Sequence, residues 1–205
     1  MSKNSEALFA FLQEKNGYVT AKELSSKGFR RELPLRLIEE GRLLREARGI
    51  YRLPETNPDP CFVLQYACPK AVFSYETALF FQHLITEEVQ THLSITVPQG
   101  FNITRLKNIC PNLTAHYVQP ERLELGLSYG TSPEGNPIRL YNRERCICDI
   151  IKHREQIASD IYVQAVQNYF QPKKNTFPKD LRLLQSYAHT YGIENQVYHY
   201  MEFLM

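Results

Sequence analysis

Residues Gly17–Pro54 read GYVTAKELSSKGFRRELPLRLIEEGRLLREARGIYRLP, and this stretch decides the fold of the first part of the chain. Thr20-Ala-Lys-Glu23 has the spacing of a capping box, in which a threonine and a glutamate satisfy each other's backbone N–H groups at a helix start. The helix so begun is short, with Ala21 and Leu24 inward, and it stops at Lys27–Gly28. Another follows from about Arg31 to Glu40, with Leu33, Leu37 and Ile38 on one face and Gly41 at its end. Proline has no backbone N–H to give, so Pro34 is expected in the first turn of that helix. Leu43–Leu53 then reads as a hairpin turning near Ala47-Arg48-Gly49. Its Leu43, Leu44, Ile50, Tyr51 and Leu53 are available for packing, with Arg45, Arg48 and Arg52 spaced between them.

Upstream, Leu8, Phe9, Phe11 and Leu12 form a helical stripe over Asn4–Lys15, closed by Asn16–Gly17. Tyr18–Val19 is a short extended piece. Helix, strand, helix, tight turn, helix and hairpin is the order of a winged helix-turn-helix. In that arrangement the last helix can enter a major groove while its apolar face stays on the core. Arg30, Arg31 and Arg36 are then free to point outward, and Arg42, Arg45, Arg48 and Arg52 are placed to meet phosphates, whose neutralisation dominates affinity for DNA. The alternative is a winged helix that binds protein and no DNA.

Charge follows the same division. Residues 1–54 hold 11 Lys and Arg against 7 Asp and Glu, a net of +4, whereas residues 55–205 hold 13 against 15, a net of −2. A basic leading segment suits a polyanionic partner. LPETNPDPC (Leu53–Cys61) carries three prolines, which neither helix nor strand crosses easily. The boundary is placed there, giving a DNA-binding domain over 1–56 and a second domain over 57–205.

With 43% hydrophobic and 22% charged residues among 205, the composition is that of a globular protein with a real core. No run of ~18 apolar residues is present, and the leading residues MSKNSEALFAF lack a signal-peptide pattern. Five cysteines cannot all pair within the chain, so reduced thiols and a cytoplasmic location are expected.

The second part reads as α+β, with a small sheet and a helical end. Ser74–Leu84 is expected as a helix with Ser74 as its cap, and Thr91–Gly100 and Leu113–Gln119 as strands. LELGLSYG and PIRLYNR form a hairpin about Ser132–Asn136. CICDIIKHREQI becomes helical, with Asp149 as a cap. Helices follow over Ser159–Phe170, Pro178–Tyr191 (opened by Pro178) and Ile193–Leu204.

Chemistry-bearing motifs are sparse. Cys146-x-Cys148 lacks a second paired spacing to complete a zinc site, so the cysteines read as small buried hydrophobes. His83 and His116 sit among apolar residues and read as packed or surface side chains. Glu144, Asp149 and Lys152 are the residue types of a metal-dependent nuclease, but three such residues in a charged segment arise readily by chance, and Asp149 reads instead as a helix cap. No catalytic residue, metal or cofactor is expected.

The run Gly17–Pro54 resembles the N-terminal winged-helix domain of the AbiEi family of antitoxins, from bacterial type IV toxin–antitoxin systems linked to phage defence. The resemblance rests on Gly17, Thr20, Leu24, Gly28, Leu37, Gly41, Leu44, Arg48-Gly49 and Tyr51-Arg52, and it continues more loosely through SYETALFFQHL, THLSITVPQG and RERCICDIIKHR. It implies a repressor of its own operon that binds inverted repeats in double-stranded operator DNA. It also implies a second domain that opposes a nucleotidyltransferase-like toxin without a stable complex. The candidate DNA-binding residues are Thr20, Lys22, Arg30, Arg31, Arg36, Arg42, Arg45 and Arg48, with Arg105, Lys107 and Lys173–Lys174 as candidates in the second domain. Pro34 and Glu39–Glu40 shorten and acidify the third helix, which places the expected base contacts at its N-terminal end.

Overall fold

The computed structural model describes residues 3–86, 92–171 and 178–204. The chain divides into two compact units. The first comprises Met1–Ala67 with Thr131–Pro137, and the second Cys68–Gly130 with Ile138–Met205.

In the first unit, α1 (Lys3–Glu14) leads to β1 (Tyr18–Thr20), α2 (Ala21–Ser26), α3 (Glu32–Glu39), β2 (Leu44–Ala47), β3 (Ile50–Arg52) and α4 (Pro60–Ala67). The strands form an antiparallel sheet in the order β1-β3-β2. The capping box is fully formed: the Glu23 amide donates to Thr20 Oγ1 at 3.2 Å, and the Thr20 amide to Glu23 Oε2 at 2.9 Å. Such a cap is typically worth ~1 kcal/mol. Pro34 is buried in the first turn of α3, where its missing N–H costs no helical bond. Gly49, at φ 79°, makes the hairpin turn, and its carbonyl accepts from the Ala21 amide at 2.8 Å. That bond holds the hairpin tip at the start of α2. Leu8, Leu12, Val19, Leu24, Leu37, Leu43, Tyr51 and Leu53 close the core. Two packing expectations differ: Ala21 is exposed, and Leu44 stands 38% exposed on the outer strand β2.

α4 follows the proline-rich stretch. Asp59 caps it, accepting from the Phe62 amide at 2.9 Å, while its other oxygen accepts from Ser132 and Asn136. Tyr18 also serves this stretch, its hydroxyl donating to the Asn57 carbonyl and accepting from the Asp59 amide at 2.7 Å.

The second unit carries β4 (Val72–Phe73), α5 (Tyr75–Phe81), β5 (Ser94–Pro98), α6 (Thr104–Lys107), β6 (Thr114–Val118), α7 (Pro120–Leu123), β7 (Leu127–Thr131) and β8 (Pro137–Tyr141). The strands make a mixed sheet in the order β6-β5-β4-β8-β7, and the turn between β7 and β8 falls in the first unit. Four helices complete it: α8 (Arg143–Lys152), α9 (Ser159–Phe170), α10 (Leu181–Tyr191) and α11 (Glu194–Leu204). α8 is the central element, buried from Glu144 to Ile151 and packed against α5, α9, α10 and α11. The protein is thus α+β with small sheets and a helical end, as the sequence indicates. Two caps differ from expectation. Asn142, accepting from the Arg145 amide, begins α8, and Asp149 lies inside it; Asp180, not Pro178, opens α10. Ser74 holds the cap position of α5, but its hydroxyl accepts from Thr96 Oγ1 instead of a helix amide.

All five cysteines are buried and none forms a disulfide. Among the described residues no helix is long and apolar enough to cross a membrane, and no cluster of His, Cys, Asp and Glu could hold a metal ion.

Candidate nucleic-acid interface

A cleft of about 630 Å³ lies between α2, the N-terminal end of α3 and the hairpin. The folding of residues 20–51 explains its lining. The capping box fixes where α2 starts and so turns Lys22 and Ser25, one turn apart, to its outer side. The chain reverses at Gly28, with φ 78°, and delivers Arg30 and Arg31 to the start of α3. The hairpin brings Arg45 and Arg48 to the opposite wall. Pro34 and Tyr51 lie at its base as part of the packed body.

Lys22, Arg30, Arg31, Arg45 and Arg48 therefore converge on one concavity, and among the described residues its lining contains no aspartate or glutamate. All five are exposed. Among the described residues none of the five makes an ion pair or a side-chain hydrogen bond within the protein. A concentration of unneutralised cations in a concave, partly apolar wall focuses positive potential outward. The N-terminal end of α3 adds the positive end of its dipole. The arrangement is suited to a run of phosphates.

The other candidate residues lie elsewhere. Thr20 is 5% exposed and its hydroxyl is committed to Glu23, so it shapes α2 from inside. Arg36 and Arg42 do not line the cleft: both pair with Glu40, at 3.5 and 3.4 Å, and Arg42 also lies over the Phe9 ring at 4.6 Å. Arg52, read from the sequence as a phosphate contact, is turned into the protein at 8% exposure. Its Nε donates to Glu46 at 2.7 Å, and its Nη1 donates to the carbonyls of Leu53 and Pro54 and to that of Thr56. It orders the proline-rich stretch. Arg105 and Lys107 are exposed on α6 of the second unit, and Lys173–Lys174 lie outside the described residues. The sequence reading missed Ser25, whose exposed hydroxyl lines the cleft; its spacing of three from Lys22 on a helix was the available signal.

The second unit has a different polar arrangement. Arg145 and Asp149, four residues apart on α8, form a buried pair at 3.0 and 3.1 Å. Arg145 also donates to the carbonyls of Arg122 and Leu125 and is sandwiched by the Tyr141 and Tyr191 rings, at 4.2 and 4.9 Å. Burial raises the Asp149 carboxyl above its usual range, and the adjoining guanidinium works against this. Burial likewise pushes the Cys148 thiol up to about 12, which keeps it protonated and unreactive.

Residues 6–54 match the model of a family described as "Transcriptional regulator, AbiEi antitoxin", so the family resemblance read from the sequence holds over this segment. No curated protein matches the chain. Among solved structures, the RV2827C protein from Mycobacterium tuberculosis is similar in fold at a TM-score of 0.59 and 12% identity. That likeness covers 98% of this chain and 82% of the other.

Proposed function

We propose that the first unit is a winged helix-turn-helix that binds double-stranded DNA through the cleft between α2, α3 and the hairpin, and that the protein is an antitoxin that represses its own operon. Convergence of Lys22, Arg30, Arg31, Arg45 and Arg48 without an internal counter-charge is the observation that carries this reading. Arg30 and Arg31, at the entering end of α3, face bases and adjacent phosphates. Arg45 and Arg48 hold the flanking backbone. The antitoxin role is supported by the family match over residues 6–54. On this reading the operator is an inverted repeat near the protein's own promoter. The second unit counteracts a nucleotidyltransferase-like toxin, and the protein works by occupancy and not by catalysis, in the cytoplasm. The alternative, a protein-binding winged helix, leaves five uncompensated cations without a purpose.

Fluorescence anisotropy with the full chain tests it. The chain should bind DNA from upstream of its own gene, with log K falling by about 0.9 per phosphate neutralised against log salt. Arg48→Ala should weaken operator and random DNA alike and lower that slope by about 0.9, with an unchanged melting temperature. Arg31→Ala should cost ~1–3 kcal/mol on the operator alone if it reads a guanine. Absence of binding to the upstream region at low salt would refute the repressor reading.

A further inference from the structure

The polar interior of the second unit opens into a cleft of about 480 Å³, inside the size range of small-molecule sites. Its walls come from β5, β6, the Arg122 end of α7, α8 and Tyr191 of α10. Among the described residues Asp149 is the single acidic residue of the lining, and it is paired with Arg145. Arg122 and Lys152 therefore leave the cleft with a net positive charge. The Arg122 guanidinium is exposed and has no hydrogen-bond or ionic partner among the described residues. Lys152 Nζ donates to the Tyr191 carbonyl at 3.0 Å, which leaves two of its three N–H groups to give.

Two features of the wall are energetically costly. His116 Nε2 is buried and lacks a hydrogen-bond partner, a condition that native proteins avoid. Its ring stacks on Tyr75 at 3.6 Å. Tyr75 in turn holds φ 49°, a left-handed conformation that a bulky residue rarely adopts. Burial, reinforced by His153, brings the His116 pKa down to about 4, so at pH 7 the neutral ring has one N–H donor and one acceptor nitrogen. Tyr117, the next residue of β6 and 49% exposed, also contributes to the lining.

We propose that this cleft binds a phosphorylated small molecule of mononucleotide size. Arg122 and Lys152 take the phosphate, and His116 Nε2 meets a polar group of the ligand. The two cations call for an anion, and the orphaned His116 nitrogen calls for a polar group to pair with. This reading is independent of DNA binding by the first unit.

Isothermal titration of the full chain with AMP, GMP, CMP and UMP tests it, with adenosine, ribose 5-phosphate and inorganic phosphate as the separate halves. At least one nucleotide should bind one-to-one with a Kd on the order of 10 µM, and each half at least tenfold more weakly. Arg122→Gln, at an exposed position, should weaken the nucleotide tenfold or more while melting temperature and affinity for upstream DNA stay unchanged. His116→Phe should reduce discrimination among the four bases. The proposal is overturned if none of the four nucleotides binds at about 1 mM. It is equally overturned if Arg122→Gln and Lys152→Gln leave affinity unaltered, or if only a phosphorylated oligonucleotide binds.

Discussion

Arginine does opposite work in the two units. Around the cleft of the first unit, Arg30, Arg31, Arg45 and Arg48 stay exposed and unpaired. In the second, Arg145 is 1% exposed and wholly occupied by a carboxylate, two carbonyls and two tyrosine rings. The physical rule is the same in both places. A guanidinium in water needs nothing and is free to draw an anion. One taken from water must find its compensation on the spot, or it costs several kcal/mol. The first unit contains both kinds, since Arg52 of the hairpin is spent on Glu46 and three backbone carbonyls.

The largest effect expected from this contrast is at Arg145. Arg145→Ala strands Asp149 as a buried carboxylate and orphans two carbonyls. It should cost ~3–5 kcal/mol, read from urea unfolding of the full chain. Arg145→Met combined with Asp149→Leu removes both charges together and should recover most of that loss. A loss under ~1 kcal/mol for the single variant would break the comparison, because such a small cost would place Arg145 with the surface charges.

Arg52→Ala comes next. It removes the ion pair with Glu46 and the three carbonyl contacts that order Leu53–Thr56. The expected cost is ~2–3 kcal/mol, with the salt dependence of DNA binding unchanged. A variant of normal stability with a reduced salt slope would return Arg52 to the phosphate-facing set.

How far the sequence could sort these arginines depended on the distance over which each is decided. Thr20 and Glu23 form their cap within one turn, so spacing alone disclosed it, and the cap in turn positions Lys22. The glycine turns at Gly28 and Gly49 are local in the same way. Arg52 was not legible. β3 lies between β1 and β2, and all three of its residues are buried, so alternation along the strand did not disclose that Arg52 is covered like Tyr51. Its register opposite Tyr18 is a tertiary fact. The helix Pro60–Ala67 went unread because three prolines argued against regular structure. Yet Asp59-Pro60 is itself a cap followed by a first-turn proline. Asp149 was misplaced for a related reason. The β-like run Cys146–Cys148 suggested that the helix starts late, whereas Asn142 already begins it and sets Arg145 and Asp149 at i and i+4. The second-unit cleft assembles residues from Tyr75 to Tyr191, and no local pattern announces it.

The smallest effects should sharpen the boundary of the DNA-binding set. Arg36 and Arg42 are basic, close in sequence to the cleft residues and indistinguishable from them by composition. Geometry separates them. Arg36 has a side chain 54% exposed and Arg42 one 35% exposed, and both share Glu40. Exposed pairs of this kind contribute about 0–1 kcal/mol, and the Arg42 contact with Phe9 adds about 0.5 kcal/mol at such a site. Arg36 Nη2 also donates to the buried Ser5 hydroxyl at 3.3 Å, so Arg36→Ala and Arg42→Ala should each change stability by no more than about 1 kcal/mol. Because Glu40 neutralises much of their field and neither lines the cleft, each should also lower the salt slope by far less than the 0.9 or so of one phosphate contact. Run beside Arg48→Ala on the same DNA, the comparison is internal and independent of absolute affinity. A slope change at Arg36 equal to that at Arg48 would mean that Glu40 releases its partners on binding and that the contact surface runs the length of α3.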